Sequence, residues 1–425
     1  LDLGGTNCVT DAACASTFSA LSMAVNELYL GDSDVVIAGG VDTMNDIFMY
    51  MCFSKTPALS ATGDCRPFSD AADGTMLGEG LVMFALMRLE DAEAQGRQIY
   101  AVLKGLGSSS DGRAKSVYAP LAEGQERAVR RAYEAAGYGP ETVELVEAHG
   151  TGTKAGDAAE FAGLELAFKG PREDRQWCAL GSIKSQIGHT KSAAGAAGLL
   201  KAVLALHQKV LPPTAKVERP NPKLNIEESP FYLSTQARPW IRNADHPRRA
   251  GVSAFGFGGS NFHITAEEYT GSATRPAAVT AAPGELWLFT GASGAAVAEA
   301  ATSAASACTD AEGDYAYRAA QSRHGFDASQ PARLCVIAAD AADLQQQVAG
   351  AIASLQANKA VTTPKGPRFE LGGVAGKVAF LFPGQGSQYV GMGADLAMGL
   401  DAARDVWDAA ADHPFDGTPV HKLAF

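Results

Sequence analysis

Apolar residues fall along the chain in two alternating patterns. Short apolar runs bounded by turn residues predict buried strands at Asp34–Gly40, Tyr100–Leu103, Val143–Ala148 and Gly251–Phe255. Between them lie helical patterns. Phe18, Leu21, Val25 and Leu28 recur at helical spacing and put one apolar face on a helix over Phe18–Leu30. Glu123–Ala136 reads as a second helix with basic residues on its exposed side, and Ser192–Leu206 as a third, rich in small residues. Strands alternating with helices predict α/β layers around a largely parallel sheet.

Near residue 270 the composition changes. Thr270–Pro283 is rich in Ala, Thr and Pro and reads as a connector. Beyond it, Glu285–Thr290, the Ala-rich stretch 295–308 and Leu334–Ala339 predict a small α/β module. Residues 359–376, with Pro364 and Pro367, read as a second connector. Lys377–Phe382 then reads as a strand running into Pro383-Gly384-Gln385-Gly386-Ser387-Gln388. Three segments result: 1–268, 269–376 and 377–425. The last is too short for another complete domain, so its final helix, with Val406 and Trp407, is expected to be loosely held. Leu1-Asp2-Leu3 is neither a signal peptide nor a start methionine, and the chain reads as a piece of a longer one.

Composition narrows the function classes. With 46% hydrophobic and 19% charged residues over 425 positions, the chain can bury a core in each of two or three domains. The net charge of −12 is spread along the sequence without a basic stripe, so nucleic acid is not an expected partner. No run of eighteen or more uncharged apolar residues occurs, and no membrane span is expected. The seven cysteines (8, 14, 52, 65, 178, 308 and 335) contain no CxxC pair. That argues against a zinc site and a secreted disulfide framework, and suits thiols of a reducing cytoplasm; no metal is expected.

Candidate chemistry starts at Cys14, in Val9-Thr10-Asp11-Ala12-Ala13-Cys14-Ala15-Ser16-Thr17. An extended segment ends here and a helix begins, and a helix N-terminus lowers a thiol pKa. A free cysteine is equally at home as a small buried hydrophobe. His149 follows a buried strand inside the Gly/Thr turn Glu147-Ala148-His149-Gly150-Thr151-Gly152-Thr153, at a carboxyl strand end where open α/β sheets place ligands. His189 lies in Gly181-Ser182-Ile183-Lys184-Ser185-Gln186-Ile187-Gly188-His189-Thr190. Singly, each histidine reads as a structural hydrogen-bonder. The fourth element, Ser253-Ala254-Phe255-Gly256-Phe257-Gly258-Gly259-Ser260-Asn261, can aim N–H groups at a ligand oxygen or form a tight turn. A thiolate, two imidazoles and an N–H donor loop together describe thioester chemistry with oxyanion stabilisation.

These four segments, in this order over residues 1–268, closely resemble the β-ketoacyl synthases, the decarboxylative condensing enzymes of fatty-acid and polyketide assembly. Three further stretches, 41–60, 108–120 and 211–233, resemble iterative type I synthases of the polyunsaturated-fatty-acid type; glycolipid and enediyne synthases share much of them. Phe382–Gln388 resembles the opening of a malonyl-type acyltransferase domain. The resemblance implies a thiolase-like αβαβα sandwich lacking part of its N-terminal half, then a linker module, then an acyltransferase start. No Gly-x-Ser-x-Gly occurs, so residues 377–425 are expected to lack acyltransferase activity.

The resemblance also implies roles. Cys14 would carry the acyl chain as a thioester, and His149 and His189 would promote decarboxylation of malonyl on an acyl carrier protein. Lys184 would support the His189 side through a carboxylate, and Glu160 matches an acidic position of the family. The N–H groups of Cys14 and Phe257 would form the oxyanion hole, with Phe257 gating access. Thr151 and Thr153 match positions that bind the phosphopantetheine arm, so no cofactor is held directly. A homodimer through a strand at Thr6–Thr10 is expected, with Cys8 buried in that strand. Gly198 stands where single-domain relatives carry a glutamate. Two other readings are a non-elongating, chain-binding scaffold domain, which usually lacks the cysteine or a histidine, and thiolase-type condensation on coenzyme A thioesters.

Overall fold

The computed structural model describes residues 3–113, 119–170, 172–272, 284–309, 313–364, 366–372, 377 and 379–425. Parts of both connectors, residues 114–118 of the 108–120 stretch, and Val378 lie outside the described residues. Two compact units form, Leu1–Ala278 with Tyr389–Phe425, and Val279–Gln388.

In the first unit the strands are β1 (Val35–Asp42), β2 (Gly80–Met87), β3 (Val102–Ser110), β4 (Leu145–Glu147), β5 (Cys178–Gly181), β6 (Val210–Leu211), β7 (Phe231–Leu233), β8 (Arg238–Pro239), β9 (Arg249–Gly256) and β10 (Ser260–Glu267). The helices are α1 (Ser16–Leu30), α2 (Ile47–Lys55), α3 (Leu89–Ala94), α4 (Ala122–Ala136), α5 (Lys154–Phe168), α6 (Lys184–Ile187) and α7 (Ala194–Gln208). Six strands make the main sheet in the order β3-β10-β9-β4-β5-β7. From β9 to β7 the pairing is parallel, but β10 runs antiparallel to both β9 and β3. The expectation of a largely parallel sheet is therefore corrected to a mixed one. The cause is local: only three residues separate β9 from β10, which a hairpin can bridge and a parallel crossover cannot.

The predicted helices form close to where periodicity put them. On α1, Phe18 and Leu21 are fully buried against Leu199, Ala202 and Val252, and Gly31 ends the helix with a left-handed backbone (φ 77°). On α4, Ala128, Val129 and Ala132 are fully buried while Arg130 faces solvent. Burying a leucine- or phenylalanine-sized side chain contributes about 2 kcal/mol, so these faces fix the helices to the sheet. β1 and β2 form a separate antiparallel pair; Ala38, Phe84 and Leu86 pack inward, while Val35, Ile37, Val41, Leu81 and Met83 are exposed.

Two expected strands do not form. Residues 6–10 carry no ladder; Val9 is 99% exposed and Cys8 is exposed rather than buried. An extended segment becomes a strand only when another strand supplies its hydrogen bonds, and among the described residues none pairs with it. Among the described residues of 377–382 there is likewise no strand, and Phe380, Leu381 and Phe382 are exposed.

The second unit is an antiparallel sheet, β11 (Glu285–Gly291), β12 (Ala332–Ala338), β14 (Arg368–Leu371) and β13 (Val361–Thr362) in spatial order, with helices α8 (Gly294–Ala307), α9 (Asp314–His324) and α10 (Ala341–Gln356). Trp287, Val336, Leu344 and Phe369 fill its core.

The C-terminal segment, which returns to the first unit, is held more firmly than expected. Its helices are α11 (Ala394–Gly399), α12 (Asp401–Ala410) and α13 (Val420–Ala424). Both carboxylate oxygens of Asp408 accept from Arg248, at 2.6 and 2.7 Å, and Arg248 is only 1% exposed. The same guanidinium donates to Glu268 at 2.7 Å, and Asp408 also accepts the Arg242 N–H at 2.9 Å. Trp407 lies against Phe425, while Val406 is exposed as expected. A buried arginine that donates from its two Nη atoms to two carboxylates makes charge-assisted contacts, which are among the stronger hydrogen bonds. No helix among the described residues is long and apolar enough to cross a membrane.

Candidate active site

Cys14 occupies a single 3-10 turn, Ala13–Ala15, directly before α1. Ala13 has a left-handed backbone (φ 51°), uncommon for a residue with a side chain, and it turns the chain so that Cys14 sits at the helix start. The end of β9 comes up against this turn. A Cβ on Gly256 would lie 2.2 Å from the Ala12 carbonyl oxygen, so only glycine allows the approach. Beyond it Gly258 and Gly259 adopt φ 95° and 79°, and the turn they make brings the Phe257 N–H to the Cys14 sulfur.

The electrostatics of Cys14 differ from the sequence expectation. Burial pushes the thiol pKa up, and this outweighs the Lys184 charge and the N–H groups of Phe257 and Cys14, which pull it down. The helix start alone does not make a thiolate here. Sγ and one ring nitrogen from each of His149 and His189 lie within 4.8 Å of one another.

His149 leaves β4 in the loop before α5. Its N–H and that of Gly150 donate to the two oxygens of Glu160, both at 2.7 Å, and its carbonyl accepts from the Lys184 ammonium at 2.5 Å. His149 Nδ1 is buried without a hydrogen-bond partner. His189 follows α6, and its Nδ1 accepts the Lys191 N–H at 3.0 Å. A backbone N–H can only donate, so the neutral His189 ring carries its proton on Nε2. The rings meet edge to face, centroids 5.3 Å apart, with Phe255 5.8 Å from His149. Burial first, then the Lys184 charge, holds both imidazoles well below the usual histidine range, with His189 adding to the shift of His149 and Lys191 to that of His189. Both rings are neutral at neutral pH. A thiol and two imidazoles could also attract a cation, but the positive charge of Lys184, which acts on all three groups, opposes one.

The structure changes the role expected for Lys184. Its Nζ reaches the His149 carbonyl rather than the His189 side, and burial lowers its pKa against the charges of Glu147 and Glu160. Glu147 was not singled out from sequence. It is 1% exposed, pairs with Lys201 at 2.8 Å and accepts the Ile183 N–H at 2.6 Å; a Cβ on Gly198 would lie 3.2 Å from its Cγ. Glu147 thus fills the space beside Gly198. The signal was present in the Glu-Ala-His string, two residues before His149.

Thr151 and Thr153 share a hydroxyl–hydroxyl bond of 2.8 Å, and Thr153 also caps α5 by accepting the Gly156 N–H. Both remain partly accessible. Phe257 is 46% exposed with its ring 6.2 Å from Phe53, so it lies at the rim rather than in the core. Asp157, also missed from sequence, accepts the Gly152 and Phe68 N–H groups at 3.0 and 2.7 Å and anchors the same loop.

The chain is similar to known proteins over most of its length. Residues 1–92 match the N-terminal domain of the beta-ketoacyl synthases, 100–218 the C-terminal domain, and 220–327 the ketoacyl-synthetase C-terminal extension. A polyunsaturated fatty acid synthase polypeptide of Thraustochytrium sp. is 39% identical over 93% of this chain, and polyketide synthase GfsA of Streptomyces halstedii 37% over 94%. The chain spans 15% and 5% of their lengths. Among solved structures, a ketosynthase from module 6 of the bacillaene synthase of Bacillus subtilis 168 superposes with a TM-score of 0.59 at 34% identity, covering 81% of this chain and 60% of that one. An oxazolomycin ketosynthase domain from Streptomyces albus gives 0.60 at 32%, covering 83% and 60%.

Proposed function

This chain belongs to the β-ketoacyl synthase family, and from that premise we propose that it condenses an acyl group on Cys14 with malonyl carried by an acyl carrier protein. The observation that carries this reading is the meeting of Cys14, His149 and His189 within 4.8 Å, beside the Phe257 amide.

In the first half-reaction, Cys14 loses its proton to a neutral imidazole and attacks the acyl thioester. The carrier thiol leaves, and it takes up a proton. In the second, malonyl loses carbon dioxide, and the resulting enolate oxygen is met by His189 Nε2–H and the neighbouring His149. The enolate carbon attacks the Cys14 acyl carbonyl, whose oxygen is stabilised by the N–H groups of Cys14 and Phe257. Cys14 leaves as thiolate and recovers a proton. The net step is acyl transfer to carbon. Thr151 and Thr153, accessible at the loop after His149, bind the phosphopantetheine arm, so the substrates arrive on a carrier rather than a bound cofactor. Phe257, at the rim, gates their entry.

The work is that of a condensing domain in a cytoplasmic multidomain synthase, with residues 269–376 as its linker module and 377–425 as the start of an acyltransferase. The relative at 39% identity favours the polyunsaturated-fatty-acid type over glycolipid or enediyne synthases. A gatekeeping scaffold domain is disfavoured because the cysteine and both histidines are present.

Incubating the protein with an acyl thioester and malonyl carrier protein tests the function. A β-ketoacyl product is expected, and none with Cys14→Ala; product from the variant at an equal rate would remove Cys14 from the chemistry. Dimerisation is part of the same proposal, with residues 6–10 pairing across a two-fold axis to satisfy their exposed backbone. Sedimentation equilibrium of the full-length protein is expected to give twice the chain mass, and an active monomer would contradict it.

A further inference from the structure

We infer that the Lys191 side chain is a positioning residue for His189, acting by clamping the turn that follows it onto the end of β1. This rests on the function proposed above, because it concerns the half-reaction assigned to His189.

The turn is unusual. Lys191 has a left-handed backbone (φ 48°), which a lysine rarely adopts without something to hold it. It is also 6% exposed, although a lysine is almost never buried unless paired. Its ammonium supplies what holds both. Nζ donates to Asn45 Oδ1 at 2.6 Å and the Gly78 carbonyl at 2.9 Å, and lies 3.1 Å from Asp42 Oδ1. Three acceptors match the three ammonium protons, so the group is fully satisfied. Asp42 is the last residue of β1, and its other oxygen accepts the Ser192 hydroxyl at 2.8 Å. Two successive residues of the turn are thus tied to one carboxylate. The outcome of this arrangement is a backbone N–H at Lys191 aimed at His189 Nδ1, 3.0 Å away. That bond fixes the ring orientation and puts the proton on Nε2. None of these groups is in contact with Cys14, and the Asp42 charge is the least of the causes acting on its thiol.

The Lys191 hydrogen bonds bear on His189 directly, while the neighbouring Ser192 carbonyl, which accepts the Thr17 hydroxyl at 2.7 Å, links the turn to the start of α1. Displacing a reacting group by about 1 Å costs on the order of 100-fold, so a slackened turn has a kinetic signature. In the full-length protein, Lys191→Met is expected to slow carbon dioxide release from malonyl carrier protein at least about tenfold while Cys14 acylation stays within about threefold. Asp42→Ala, which opens the clamp from the other side, is expected to show the same split. Lys191→Gly is expected to recover part of the loss, because glycine adopts this φ unaided. A merely structural role would instead lower both half-reactions together and gain nothing from glycine. Unchanged carbon dioxide release in Lys191→Met, or equal losses in both half-reactions for Lys191→Met and Asp42→Ala, would overturn the clamp. If Lys191→Met does not fold, seen as absent Cys14 acylation, Asp42→Ala decides alone. His189→Ala is run alongside. Slow release in that variant with normal release in Lys191→Met rejects the clamp only, whereas normal release in His189→Ala rejects the function on which it rests.

Discussion

Replacing either His149 or His189 by alanine is expected to slow carbon dioxide release from malonyl carrier protein by about 100-fold or more, the usual scale for losing an oxyanion donor or proton-transfer group. The reason lies in the state in which both rings are held. Each is buried, and burial together with the Lys184 charge keeps it neutral, so each ring offers a single N–H to a developing negative charge. His189 is further committed, since its Nδ1 is occupied by the Lys191 N–H and only Nε2–H can point at the substrate. Acylation of Cys14 is expected to suffer less in His189→Ala than in His149→Ala, because His149 then still lies within reach of the thiol as a base, whereas the Nε2–H of His189 cannot accept its proton. Decarboxylation unchanged in both variants, measured as released carbon dioxide, would take the pair out of the mechanism.

The second large effect concerns Glu160, which touches no substrate. It is 2% exposed, and its two oxygens hold the N–H groups of His149 and Gly150. Glu160→Ala leaves both buried donors unpaired, at about 1–3 kcal/mol each, so a stability loss of roughly 3 kcal/mol is expected in urea unfolding. Decarboxylation is expected to fall with it, since the backbone of His149 loses its anchor.

Glu160→Gln separates charge from hydrogen bonding. Burial, against the Gly150 and His149 N–H bonds, pushes the Glu160 carboxyl up to about 7 from 4.5. A folded-state pKa above the unfolded value means the folded chain holds the proton more tightly. This group's contribution to stability is then greatest below about pH 4.5, falls as pH rises to about 7, and is level above that. Glutamine does not titrate, so the variant's stability is expected to fall less over that interval. Part of the slope is expected to persist, because burial also raises Asp157, to about 7. Identical pH profiles for wild type and Glu160→Gln would show that Glu160 is not raised.

What the sequence made legible was whatever repeats locally. The spacing of Phe18, Leu21 and Leu28 located α1, and those residues are buried as the pattern requires. Cys14, His149 and His189 were legible because each lies in a short string of glycines and small residues at the end of an element. Their convergence was legible only through the resemblance, since no local pattern says that residues 14, 149 and 189 meet. The direction of the Cys14 shift was not legible: a helix start is visible in sequence, but the depth of burial that outweighs it is set by packing from β9 and α7. The partner of Lys184 was missed for a similar reason, because the acceptor is a backbone carbonyl and any residue supplies one. The parallel part of the sheet followed from alternation, whereas the antiparallel β10 depended on reading a three-residue connection as a hairpin. Nor does any pattern link Arg248 with Asp408, 160 positions apart. The segment at 6–10 reads as a strand from sequence but forms no ladder among the described residues.

The most direct test of the central claim is the mass of the peptide containing Cys14 after the full-length protein meets an acyl thioester. Cys14 is the one cysteine brought to both histidines and to the Phe257 amide, whereas Cys8 is exposed on an unpaired segment. A single acyl increment on the Cys14 peptide is expected, lost in Cys14→Ala and absent from the peptide carrying Cys8. An acyl group found on another cysteine, or undiminished labelling of Cys14→Ala, would contradict the assignment of Cys14 as the nucleophile.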